Sequence, residues 1–219
     1  MMKSAKHRID EIIKKLKKAY PRSHTALRFE TPLQILVATI LSAQSTDEQV
    51  NKITPALFRK YRTASDFANA APEELEEEVR SSGFFRNKAK SIIGASKKIV
   101  DDYESRVPDR MEDLITLPGV ARKTANIVLS SGFKKAEGIA VDTHVKRLSQ
   151  RLGLSEEKNP DKIEQDLLNL VPKKEWIDFN YMLVNHGRNT CQARKPNCPA
   201  CVLRSLCPSA NEFFPDLKP

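Results

Sequence analysis

The sequence predicts an all-α protein, on three observations. Apolar residues recur at helical spacing along nearly the whole chain, no stretch has convincing strand alternation, and only seven glycines among 219 residues leave room for short connections between helices. Ile9, Ile12, Ile13 and Leu16 share one face of a first helix. The segment TPLQILVATILSAQ, capped by Thr31 with Pro32 in the first turn, is apolar on almost every side and reads as a core helix. Thr46, Ser65 and Asn159 precede further helical runs as candidate caps. Ile92, Ile93, Ser96 and Val100 line another helix, as do Ile163, Leu167 and Leu170. Gly83, Gly119, Gly153 and Gly187 fall at expected breaks, and the closing NEFFPDLKP is expected to be loosely held.

Length and charge bound what such a chain does. With 219 residues it buries one large core or two small ones. Its 37 Lys plus Arg against 28 Asp plus Glu give a net charge of +9 and a pI near 9.4, with no low-complexity basic tail to carry the excess. The folded surface therefore carries it, which fits a polyanionic partner and, more plainly, a well-solvated exterior. The opening MMKSAKHRIDEIIKKLKK has no apolar signal region and no membrane-spanning run follows, so a cytoplasmic protein of the nucleoid is expected, in a reducing compartment.

All four cysteines lie in CQARKPNCPACVLRSLC, with six, two and five residues between consecutive thiols. Disulfides fit a reducing compartment poorly. Zinc sites usually have two close pairs, whereas here Cys198 and Cys201 form one close pair flanked by the single Cys191 and Cys207. That spacing favours thiolates wrapped around a larger inorganic core, a four-iron cluster, over zinc or unrelated thiols.

In MEDLITLPGVARKTANIVLSSGF, Met111, Leu114 and Ile115 mark a short helix, LPGV a tight turn, and Ala121, Thr124, Ala125, Val128 and Leu129 the buried face of a second helix. A helix-hairpin-helix of this kind exposes backbone N–H groups at the positive end of a helix and suits a phosphate, although Pro-Gly also occurs at ordinary helical corners. Lys123 falls in the first turn of the second helix, where the macrodipole disfavours a cation, and off its apolar face. It is a solvated surface lysine, a phosphate ligand, or an amine made available for nucleophilic attack. Further on, GIAVDTHVKRLSQRLGL puts Val141, Val145, Leu148 and Leu152 on one helical face with Asp142 as N-cap. A capping carboxylate opposite an amine could also take its proton and stabilise positive charge developing at a sugar carbon.

LSAQSTD at 41–47, LPGVARKTAN at 117–126, VDTHV at 141–145, HGR at 186–188 and the four cysteines occur in one order along nearly the whole chain. Together they resemble the endonuclease III family, within the wider group of helix-hairpin-helix DNA glycosylases. The resemblance implies a two-lobed all-α fold with DNA held between the lobes. Residues 25–135 would form a six-helix barrel, and 1–24 with 136–219 a lobe carrying a four-iron four-sulfur cluster on Cys191, Cys198, Cys201 and Cys207. It implies a monomeric bifunctional glycosylase and abasic-site lyase acting on double-stranded DNA with damaged bases, oxidised or ring-saturated pyrimidines above all. Lys123 matches the catalytic lysine and Asp142 the catalytic aspartate. Gln44 matches the residue that enters the gap left by a flipped nucleotide, and Phe84 stands at an apolar wedge that is leucine in familiar members.

Leu117, Gly119, Ala121, Arg122 and His144 carry over as DNA contacts, and Arg194 and Lys195 lie in a basic loop that would meet phosphates. Ala121 replaces a second hairpin glycine, which could change the last hairpin turn, though alanine is comfortable there if that residue is already helical, and Ser82 replaces a residue that is often apolar, so contacts opposite a lesion could differ. Three other readings are open. An adenine-specific mismatch glycosylase shares the hairpin, aspartate and cysteines but lacks this lysine and usually has a further C-terminal domain, where this chain ends soon after Cys207. A non-enzymatic DNA-binding module leaves Lys123 and Asp142 without a purpose, and an iron-sulfur electron carrier accounts for the cysteines alone.

Overall fold

A computed structural model describes residues 4–215, and among them the only regular structure is helical. The helices are α1 Ala5–Ala19, α2 Pro32–Ser42, α3 Asp47–Lys60, α4 Ala64–Ala68, α5 Pro72–Val79, α6 Phe85–Asp102, α7 Met111–Leu114, α8 Arg122–Gly132, α9 Thr143–Arg151, α10 Pro160–Leu170, α11 Trp176–Asn189 and α12 Ala210–Phe213. Short 3₁₀ turns occur at Arg80–Ser82, Lys173–Glu175 and Arg204–Leu206. The chain divides into two compact units, Thr25–Glu137 and Met1–His24 with Gly138–Pro219. Residues 1–3 and the last four of NEFFPDLKP lie outside the described residues; the segment's earlier part includes the end of α12.

In the 25–137 unit, α2 is the central rod. Its residues from Ile35 to Leu41 are all buried, and it packs on α8 and α3. Thr31 starts it as expected, its hydroxyl accepting from Gln34 N at 3.2 Å, and Thr46 does the same for α3 from Gln49 N at 3.1 Å. Ser65, by contrast, sits inside α4. The cap there is Thr63, which accepts from Asp66 N at 3.1 Å while Asp66 accepts from Thr63 N at 2.8 Å. This reciprocal pair satisfies two orphan N–H groups and outcompetes a lone serine two positions on. α6 packs on α4 and α5 through Ala89, Ile92, Ser96 and Ile99. α7 ends at Leu114, so Ile115, expected on its apolar face, is instead exposed.

In the other unit, Ile9, Ile12, Ile13 and Leu16 of α1 join Val145 and Leu148 of α9, Ile163 and Leu167 of α10 and Leu183 of α11 in one core. Asn159 caps α10, accepting from Asp161 N at 2.8 Å. Gly187 is not at a break; it lies within α11. A Cβ there would stand 2.9 Å from His144 Nδ1, so the glycine is what lets α9 ride against α11.

Candidate active site and cysteine loop

Between α7 and α8 the chain makes a tight turn in which Leu117 N donates to Leu114 O and Val120 N to Leu117 O, each at 3.1 Å. Gly119 is required there on two counts. Its φ is +76°, and a Cβ would stand 2.5 Å from Ser91 Cβ on α6. Ala121 is different: at φ −87° and ψ 169° it is extended backbone that alanine adopts freely, so the missing second glycine does not alter the turn. It is the N-cap of α8 and is exposed, Thr124 is half-buried, and the expected buried face begins only at Ala125.

Ala121 has no oxygen with which to cap. The backbone N–H groups of Gly119, Ala121 and Lys123 have no hydrogen-bond partner among the described residues. Unpaired donors at the positive end of an eleven-residue helix suit an anion. Lys123 is exposed in that first turn, so its amine is accessible to a reacting group, and Arg122 beside it is half-buried. Leu117 is placed differently from the other hairpin residues named. Its side chain is in the core and its N–H and C=O both serve the turn, so it shapes the hairpin and offers DNA no donor of its own.

Five residues in this unit other than glycine adopt left-handed backbone; besides Glu104, Ser105 and Lys134 they are Gln44 (φ 52°), just beyond α2, and Phe84 (φ 49°), the N-cap of α6. Gln44 and Phe84 are both exposed, Phe84 by 62 % despite its apolar ring. Ser82, two residues before Phe84, is buried, and its hydroxyl donates to Val79 O at 2.7 Å, so the side chain that departs from the family pattern is spent on local backbone.

In the second unit, Asp142 caps α9. Its Oδ1 accepts from His144 N and Val145 N, both at 2.8 Å, while Oδ2 has no hydrogen-bond partner among the described residues. One oxygen thus serves the helix and the other is an open acceptor. His144 is half-buried, and burial lowers its pKa while the nearby Asp142 charge opposes the shift. Arg147 NH2 reaches His144 Nδ1 at 3.1 Å and Gly187 O at 2.9 Å.

The four free thiols line one cavity, with His186, Arg151 and Phe213 among its other walls. Burial raises the thiol pKa values of Cys198 and Cys201, and that of Cys207 to about 11. His186 is buried, Nδ1 2.9 Å from Tyr20 Oη and Nε2 3.3 Å from Cys201 Sγ, and burial lowers its pKa to about 4. Arg151 donates to Cys191 Sγ at 3.2 Å, to Gln192 O at 2.8 Å and to Ala193 O at 2.8 Å. It thereby fixes the loop on which Arg194 and Lys195 stand exposed. Arg147 and Arg151 were not singled out by sequence reasoning, although four-residue spacing puts them on one face of α9, and no local signal points to the loop they hold.

Comparison with known proteins settles the family. Residues 37–173 match the HhH-GPD superfamily base excision DNA repair protein family. Endonuclease III of Synechocystis sp. is 56 % identical over 209 residues, covering 95 % of each chain. The chain belongs to the endonuclease III family. The structure of a trapped endonuclease III–DNA covalent intermediate superposes with a TM-score of 0.91 at 40 % identity, over 97 % of this chain and 99 % of that one. A non-covalent endonuclease III–DNA complex gives 0.92 at 39 % identity, over 99 % and 100 %. The all-α helix-hairpin-helix glycosylase fold is therefore this chain's fold, and this endonuclease III family member is a base excision DNA repair protein.

Proposed function

We propose that this enzyme removes oxidised or ring-saturated pyrimidines from duplex DNA and cuts the strand 3′ to the resulting abasic site through a Schiff base on Lys123. As a member of the endonuclease III family it is a bifunctional DNA glycosylase and abasic-site lyase, and its partner is double-stranded DNA with damaged bases or abasic sites. The observation that carries the residue assignment is Lys123 itself, an exposed amine in the first helical turn beside three unpaired N–H groups. No requirement of the fold accounts for a cation there. We read the 25–137 unit as the barrel lobe and the remainder as the cluster lobe, working in the nucleoid. Among the described residues no helix is long and apolar enough to cross a membrane.

The hairpin donors would hold a phosphate and fix register without reading sequence. A damaged base that pairs poorly costs less to extrude; Phe84 would wedge the stack and Gln44 fill the gap. The unprotonated Lys123 amine then attacks C1′, the C1′–N bond breaks, and its electron pair leaves with the base, which takes up a proton. Asp142 would accept the proton released from the amine and stabilise the cationic transition state. Opening of the sugar leaves an iminium linking C1′ to Lys123. Loss of a C2′ proton then expels the 3′ phosphate oxygen, and water releases the lysine. Duplexes each carrying one defined lesion test this directly. Strand breaks without alkali at oxidised pyrimidines are expected, and breaks only after alkali would instead mark a monofunctional glycosylase.

Cys191, Cys198, Cys201 and Cys207 would hold a four-iron four-sulfur cluster. The donor set fits. Four thiols line one cavity, and N–H groups of Arg151 and Leu203 point at the sulfurs of Cys191 and Cys201. When bound, the cluster supplies a covalent brace for the 191–207 loop and no chemistry on the base. Protein purified without oxygen should be brown and contain iron and sulfide in about equal amounts, roughly four of each. Stoichiometric zinc in a colourless active protein would refute the assignment. Arg194→Ala with Lys195→Ala should lower the log-log salt slope of DNA binding by about two, roughly 0.9 per lost phosphate contact. Cys198→Ser should lower it similarly by disordering the same loop.

A further inference from the structure

Lys88 is a buried charge that none of the chemistry above uses. It lies in α6 at 4 % exposure, on the same stripe as Ile92, Ser96 and Ile99. Its Nζ donates to Leu41 O and Ser82 O, both at 2.7 Å. Leu41 is in the last turn of α2 and Ser82 ends the Arg80–Ser82 turn, so the ammonium caps two helical C-termini at once, where carbonyl dipoles favour a cation. Burial lowers its pKa, and no carboxylate compensates. A methionine of similar volume would fill the space without that desolvation, so packing alone does not account for a lysine here. The two carbonyls are not arbitrary. Gln44 follows closely on Leu41 and Phe84 on Ser82, and both are exposed residues held in left-handed backbone.

We propose that Lys88 is a positioning residue for base extrusion: its ammonium ties the Gln44 turn to the Phe84 turn, so that the two side chains enter the stack as one unit. This rests on reading Gln44 and Phe84 as the groups that enter the DNA. Residues coupled through a shared tie lose function non-additively, whereas independent ones multiply their losses.

The test is a double-mutant cycle read by extrusion. A duplex with an oxidised pyrimidine beside a fluorescent base analogue is mixed with the full-length protein, and both the fluorescence jump and single-turnover base release are followed. Gln44→Ala and Phe84→Ala should each slow extrusion, and the double variant should fall short of the product of the two losses by about tenfold. Lys88→Met should slow extrusion by about tenfold, and in that background Phe84→Ala should cost much less than in the native chain. If either single variant extrudes normally, the assignment of that side chain to the DNA gap fails and the tie fails with it. If both singles are impaired but their losses multiply, or if Lys88→Met extrudes at the native rate, the tie alone is refuted. Should Lys88→Met not fold, the Gln44 and Phe84 cycle decides the question by itself.

Discussion

Lys123→Ala should abolish borohydride trapping on DNA containing an abasic site or an oxidised pyrimidine, and lower strand cleavage by about a thousandfold or more. Reduction traps only an iminium formed by an amine at C1′, by displacement of a base or by condensation with the aldehyde of an abasic site, so the readout is specific to the nucleophile. The variant should still bind DNA, because the hairpin's unpaired N–H groups belong to the backbone and survive the substitution. Folding should be unharmed. Lys123 is exposed, and alanine at that point of α8 removes a cation from the end of the helix that disfavours it. Undiminished trapping would move the nucleophile to another residue.

Asp142→Asn separates the two duties of one carboxylate. Asparagine caps a helix about as well as aspartate, and its side-chain oxygen can take the hydrogen bonds that Oδ1 now accepts from His144 N and Val145 N. The stability loss should be limited to the charge–dipole contribution, about 0.3–1 kcal/mol. Single-turnover base release should fall by about a hundredfold, since a neutral amide can neither take the amine's proton nor balance the developing cation. Thermal unfolding and burst kinetics on one preparation measure both. A rate loss no larger than the stability loss predicts would leave Asp142 as a cap and nothing more.

What the sequence made legible was what local rules decide. Thr31, Thr46, Asn159 and Asp142 cap the helices they precede because each is followed by a run whose first N–H groups need an acceptor. The same reasoning failed at Ser65, where the Thr63–Asp66 pair offered a better cap. It failed at Gly187, whose missing side chain answers to His144 on another helix. Ile115 and Ala121 were placed on apolar faces by periodicity carried past the helix ends. The hairpin, the aspartate and the cysteine spacing were visible because each is a motif within a few turns of chain. Lys88 was not singled out, although its place on the apolar stripe of α6 was a signal. Its partners lie on segments that only the folded chain gathers.

The seating of Gly119 on Ser91 has a metrical consequence. The same helix that carries Ser91 begins next to Phe84, so the turn proposed to grip a phosphate and the ring proposed to open the stack both sit on α6. Their separation along that rod is about 10 Å, at roughly 1.5 Å of rise per residue. This is close to three steps of a DNA strand at about 3.4 Å each. On the proposed roles, how far from a gripped phosphate the duplex is opened would be set by the rise along one helix, a gauge that no loop motion can lengthen or shorten.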